Sequence, residues 1–203
     1  MFFLAFFLGF SISYLGTVTP SMLNITATKI SIEKDKKTGI NFSIGVSFIV
    51  LFQAFFALLF LKVIYSNPII LETIQSVSII IFAVLSIFFF RTAIQEQKEI
   101  VTKKSKKNGF LTGIGLSLIN MFSIPFYCGV GAALNMYGWL ELDLISVSFF
   151  VLGSALGTYF ILYHYILLAE KIKPKIAKLS KYFNFFLGAI TGIVALGSLI
   201  KLL

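Results

Sequence analysis

The residues best suited to chemistry lie in a short stretch near the start of the chain, Gly16 to Asn24. Thr17 and Thr19 precede Pro20 there, in a segment with no charged side chain before Lys29. Because proline lacks a backbone N–H and disfavours helical geometry at the preceding residue, the stretch predicts a break or kink in an apolar helix. Thr19 is typical of an N-cap and Pro20 of a first helical position, which predicts a half-helix beginning there.

Such a break could bind the anionic group of a small solute. A half-helix presents free amide groups and the positive end of its dipole, and secondary transporters use this arrangement near the middle of the bilayer. Non-helical backbone at that depth is tolerated only where protein or a water-filled cavity surrounds it. The alternative interpretation is a kink that only helps helices to pack.

A second stretch of the same kind, Asn120 to Pro125, lies in the fourth apolar segment and includes Ser123. Two interrupted segments in corresponding positions of two halves point to the binding site of a transporter. The alternative is coincidence, because proline and glycine are common in membrane helices.

Side-chain amides within apolar segments are candidates for substrate contacts or for hydrogen bonds between helices. Gln53 is the amide of the second segment farther from the basic loop, and His164 is the single histidine of the chain. His164 could couple transport to protons, or it could belong to an interfacial belt with its tyrosine neighbours. The predicted substrate site comprises Thr17, Thr19, Pro20, Asn24, Gln53, Asn120, Ser123 and Pro125, with His164 as the proton-coupling candidate.

Composition places these residues in an integral membrane protein. The chain is 58% hydrophobic and 12% charged, whereas soluble chains are about 25% charged. The net charge of +9 comes from lysines in loops between apolar segments, so we expect contacts with membrane lipids and none with nucleic acid. No cleavable leader is recognisable, and we expect the first segment to be retained.

Catalytic and metal sites are not expected. One histidine, one cysteine and no pair of carboxylates inside an apolar segment cannot form a recognisable metal site. No nucleophile has a plausible base and no phosphate-binding loop is present, so we predict neither enzyme nor cofactor. A thiol–disulfide electron carrier needs two intramembrane thiols, and Cys128 is alone.

Six apolar segments are long enough, or nearly so, to span a bilayer. All but two of the 17 lysines and arginines lie in loops one, three and five, Lys29–Lys37, Arg91–Lys107 and Lys171–Lys181. These loops are then cytoplasmic and both termini lie outside. Three spans in each half predict two inverted three-helix repeats, residues 1–107 and 108–203, with broken or kinked helices 1 and 4. The predicted spans are Phe2 to Ala27, Ile40 to Leu61, Ile69 to Phe90, Phe110 to Tyr137, Leu144 to Ala169 and Phe183 to Ile200.

The arrangement resembles the lysine exporter (LysE) superfamily of bacterial amino-acid exporters, in particular its RhtB-like branch. Thr19 to Asn24, followed by the first basic loop, is similar to the family's Pro-Gly-Pro-Asn-like motif, and Asn120 to Pro125 is similar to its Asn-Pro-Lys-like motif. This chain keeps one proline in the first motif and has no lysine in the second, which leaves the substrate open.

The resemblance implies export of an amino acid or similar small zwitterion across the bacterial cytoplasmic membrane, driven by the proton gradient. A non-transporting membrane subunit or scaffold is the alternative. Small-xxx-small glycine pairs recur at Gly109/Gly113, Gly153/Gly157 and Gly188/Gly192. They favour close helix packing, and a homodimer face stays open.

Overall fold

The computed structural model describes residues 2–67, 83–84, 86–94, 108–120 and 122–202, with side chains except at 173, 175–180, 183, 198 and 201–202. All regular structure in these ranges is helical, which confirms the predicted all-α class for them. Residues 83–84 and 86–94 are helical. The remaining helices are α1 (Phe2–Gly16), α2 (Met22–Glu33), α3 (Lys36–Ser66), α4 (Gly109–Ile119), α5 (Ser123–Met136), α6 (Leu144–Leu167) and α7 (Ala169–Leu202).

Membrane-spanning length is found in α3 and α6, which are each long and apolar enough to cross a bilayer. The pair α4 and α5, bent by 66°, makes a third span if the two helices are taken together. α1 is apolar but shorter. Most of the third predicted span lies outside the described residues.

One predicted loop is helical. The lysines between the predicted fifth and sixth spans lie within α7, which runs through Pro174. Lysine is a good helix former, so the basic segment does not end the helix. Most of the first predicted basic loop is also helical, because α2 extends to Glu33 and α3 begins at Lys36.

The chain divides into two compact units, Met1–Val63 with Lys106–Pro174, and Ile64–Ser105 with Lys175–Leu203. In the second unit, the helical residues 86–94 pack on α7. The Ser86 hydroxyl donates to the Gly188 carbonyl at 2.8 Å, and a side chain at Gly188 would meet the ring of Phe90. The first unit contains both predicted helix breaks.

α1 packs against α6 through glycines that allow the two backbones to touch. A Cβ atom at Gly9 would overlap the carbonyl of Phe150, and one at Gly153 would overlap the carbonyl of Phe6. Small residues permit this approach in membrane helices.

α3 and α4 pack in the same manner. A Cβ atom at Gly113 would overlap the carbonyl of Phe42, and one at Gly45 would overlap the carbonyl of Phe110. Gly9 and Gly153 of the first crossing therefore correspond to Gly113 and Gly45 of the second, and each of the four glycines faces the backbone of an equivalent phenylalanine.

The two crossings share sequence patterns. Phe-x2-Gly-x3-Ser occurs in α1 and again in α4, and Glu-x-Asp-x2-(Thr or Ser)-x3-Phe-x2-Gly occurs at the start of α3 and again at the start of α6. The repeated positions are Phe6, Gly9 and Ser13 with Phe110, Gly113 and Ser117, and Glu33, Asp35, Thr38, Phe42 and Gly45 with Glu141, Asp143, Ser146, Phe150 and Gly153.

The repeated aspartates begin α3 and α6. Asp35 accepts the Thr38 N–H at 2.6 Å and the Thr38 hydroxyl at 2.8 Å, and Asp143 accepts the N–H groups of Ile145 and Ser146. The Thr38 N–H and then its hydroxyl lower the pKa of Asp35, and the Ser146 hydroxyl and N–H lower the pKa of Asp143. Both carboxylates thus satisfy first-turn amides.

Candidate substrate site at two helix breaks

The first break separates α1, which ends at Gly16, from α2, which begins at Met22. An interruption in the first helix is thereby confirmed, but its predicted cap is wrong. Ser21 is the N-cap, with extended backbone, and its side chain makes no capping hydrogen bond. The helix begins later than Thr19 and Pro20 suggested because the backbone before Ser21 is folded around a side chain of α2.

That side chain is Asn24, which is fully buried. Its Nδ2 donates to the carbonyls of Thr17 at 2.6 Å and Thr19 at 3.0 Å, and its Oδ1 accepts from the Ser21 hydroxyl at 3.1 Å. Both ends of the amide are therefore used within the break. In this conformation Asn24 stabilises the non-helical backbone.

Tyr165 of α6 completes the first break. Its hydroxyl donates to the carbonyl of Val18 at 2.7 Å, and the phenol lies beside the Asn24 side chain. The three consecutive carbonyls from Thr17 to Thr19 thus all accept hydrogen bonds. Sequence reasoning missed Tyr165 because it follows His164 in an apparent interfacial cluster, although helical spacing places it on the same face as Ser154 and Thr158.

The second break lies between α4 and α5, where Asn120 is the C-cap. The interruption of the fourth segment is also confirmed, with a bend of 66°. Gln53 of α3 donates its Nε2 to the carbonyl of Ser117 at 2.8 Å, and Asn120 donates to the Ser123 hydroxyl at 3.0 Å. Each break is therefore held by a side-chain amide.

The two prolines do not share one environment. Pro20 is buried in the first break, whereas Pro125 is exposed in the first turn of α5. The helix is interrupted before Pro125, because proline fits a first turn whose N–H groups have no intrahelical partner.

The breaks meet through other residues. A Cβ atom at Gly16 would lie 2.6 Å from the ring of Phe126, and the hydroxyls of Ser13 and Tyr127 are 3.0 Å apart. Ser154 and Thr158 of α6 lie near the same phenol. The resulting hydroxyl cluster of Ser13, Tyr127, Ser154 and Thr158 is buried. It is a polar centre between α1, α5 and α6.

His164 lies in the last turn of α6 and is exposed. Its Nδ1 is 2.7 Å from the Phe160 carbonyl, and because a carbonyl only accepts, Nδ1 carries the hydrogen. Its ring contacts Tyr14 edge to face, with centroids 5.8 Å apart. The described contacts of His164 do not include Asn24 or Tyr127.

The described residues thus define a helical membrane protein with two interrupted helices in contact. The profile of the LysE type translocator family matches residues 14–201, so the chain belongs to that family. Comparison with curated proteins and comparison with solved structures gave no match.

Proposed function

We propose that this protein is a secondary exporter of amino acids or similar small zwitterionic metabolites. It lies in the bacterial cytoplasmic membrane as six spans, with both termini outside. Two inverted three-helix repeats, residues 1–107 and 108–203, alternate access to a site between them. Membership of a translocator family supports transport, and the matched helix crossings support the repeats.

The observation that carries this proposal is the exchange of equivalent partners between halves. The first span of one half packs on the second span of the other, through Gly9 and Phe150 in one crossing and Gly113 and Phe42 in its counterpart. A two-fold axis relating the halves generates that reciprocity. With three spans in each half, the axis lies in the membrane plane and the repeats are inverted.

The proposed site lies where the two breaks meet. Thr17, Thr19, Pro20 and Asn24 shape the first break, and the amides of α2, which Ser21 leaves uncapped, attract the substrate carboxylate. The second break contributes Gln53, Asn120, Ser123 and Pro125. Asn24 and Tyr165 form a clamp on the carbonyls of residues 17–19. Opening of this clamp would free those carbonyls during transport.

We assign proton coupling to His164, because it is the single histidine of the chain and lies exposed in the last turn of α6. The basic residues near α2 and α3 face the cytoplasm and contact anionic lipid headgroups. A homodimer is a further arrangement to be examined by mass measurement in nanodiscs.

Counterflow in proteoliposomes tests transport directly. Proteoliposomes that contain the purified chain are loaded with unlabelled leucine, threonine or lysine, and entry of the labelled compound into them is followed. We expect transient accumulation with at least one compound of the panel, which collapses in Gly9→Leu and Gly113→Leu. A folded protein that shows no flux with any of them, and instead co-purifies with a stoichiometric partner, would identify a non-transporting subunit.

A further inference from the structure

Gln53 carries a buried oxygen atom that no described group contacts through a hydrogen bond. The side chain is 8% exposed, and its Nε2 is committed to the Ser117 carbonyl. Oε1 is shielded from solvent and has no hydrogen-bond partner in the described part of the chain. The amide cannot be turned round, because Oε1 would then face the Ser117 oxygen and both atoms only accept.

An unpaired buried acceptor destabilises a folded protein, because it has lost its hydrogen bonds to water. The equivalent position of the other half has no such acceptor, so the repeated sequence pattern does not require an unpaired acceptor here. Gln53 lies eight residues beyond Gly45, and the corresponding residue of the other half, eight beyond Gly153, is Ile161. Ile161 is buried as well. At this position, an amide with an unused acceptor oxygen is therefore present in the first repeat and absent from the second.

Asn24 provides the internal comparison. Its donor and acceptor atoms are all engaged with the backbone and the hydroxyl of the first break. Gln53 holds the second break with its nitrogen alone. The first amide is thus structurally saturated, whereas the second has an acceptor available for a donor that is not part of the described chain.

We propose that Gln53 Oε1 accepts a hydrogen bond from the ammonium group of the transported zwitterion and so determines specificity. The proposal rests on the proposed transport function. α1, α3, α4, α5 and α6 contain no aspartate or glutamate, so a neutral oxygen is the acceptor offered to the cation. An amine with no carboxylate of its own would bring an uncompensated charge into this environment. The substrate class is therefore a net-neutral amino acid.

The experiment measures discrimination by the ammonium group in proteoliposomes containing the full chain. Counterflow is measured with a labelled amino acid that the wild type transports. The inhibitor is either the same amino acid, unlabelled, or its deaminated acid, which keeps the carboxylate and the side chain. For the wild type we expect the deaminated acid to inhibit about tenfold less well or weaker still. Lysine is expected to inhibit less well than leucine.

Two variants of Gln53 separate the roles of the two amide atoms, and a third variant, at Ser47, is the control. Gln53→Lys keeps a donor for Ser117, loses the acceptor and adds a cation that repels the ammonium group, so its discrimination should fall to about threefold or less. Gln53→Glu keeps an acceptor and should retain discrimination. Ser47→Ala is the matched control: it removes another buried oxygen of α3 that has no hydrogen-bond partner among the described residues, and it should leave discrimination unchanged.

The proposal would be overturned if Gln53→Lys kept the wild-type preference for the amino acid over its deaminated acid. It would also be overturned if Gln53→Glu lost that preference. If Gln53→Lys is folded but does not transport, the ligand-induced shift of the melting temperature in detergent gives the same ratio from binding alone. Absence of counterflow by the wild type with every compound would count against the transport function instead, so the two failures are distinguishable.

Discussion

Ser13 of α1 and Tyr127 of α5 share a hydrogen bond of 3.0 Å between buried hydroxyls, and this bond joins the two interrupted helices. One residue precedes the first break and the other follows the second. Because each apolar segment is interrupted, the bond connects one helix from the first interrupted segment to one helix from the second. The breaks therefore form one polar centre.

Removing the Tyr127 hydroxyl should uncouple the breaks. Tyr127→Phe leaves the Ser13 hydroxyl buried without this partner, which we expect to cost about 1–3 kcal/mol. Adding Ser13→Ala should cost little more, because the second hydroxyl has already lost its partner. Unfolding in detergent measures both, and Tyr137→Phe at an exposed position is the control. Additive losses would contradict the coupling.

Asn24→Leu should destabilise the protein and abolish transport. The replacement leaves the Thr17 and Thr19 carbonyls without the donors they have in the structure, at a cost of about 2 kcal/mol or more. Thermal unfolding in detergent and counterflow provide the two measurements. Asn41→Leu, elsewhere on a half-buried surface of α3, should have a much smaller effect. Equal effects of the two changes would refute the clamp.

The glycines of the crossings should not tolerate a methyl group. Gly9→Ala and Gly113→Ala place a Cβ atom on a neighbouring carbonyl, and overpacking of this kind costs about 1–3 kcal/mol. Gly115→Ala and Gly129→Ala introduce the same atom into open space and should be neutral or slightly stabilising, since alanine is the better helix former. Melting temperatures of the four variants decide the point; similar values would mean that the close approach is not required.

The caps at Asp35 and Asp143 predict acid lability. Hydrogen bonds from Thr38 and Ser146 lower the pKa of these two carboxyls in the folded protein, so their stabilising contribution is present at neutral pH and is lost as the pH falls through the lowered pKa. The melting-temperature difference between wild type and Asp143→Ala should be greatest near pH 7 and shrink below about pH 4. A difference that grows on acidification would show the opposite linkage.

Sequence reasoning located both breaks because proline, glycine and short polar residues interrupt otherwise apolar segments. It misplaced the first cap, since capture of the Thr17 and Thr19 carbonyls by Asn24 depends on a tertiary fold of the backbone. It missed Tyr165, which reaches the first break from a helix distant in sequence. The repeated Phe-Gly-Ser and Glu-Asp-Phe-Gly positions were present in the sequence, but their meaning became clear from the reciprocal crossings.

The sidedness of two equivalent residues tests the central claim that the halves are inverted. Glu33 and Glu141 are exposed and precede the repeated aspartates, so the claim places them on opposite sides of the membrane. In a Cys128→Ser background, Glu141→Cys should react with an impermeant maleimide on intact cells, and Glu33→Cys only after permeabilisation. Reaction of both positions from the same side would contradict the inverted arrangement.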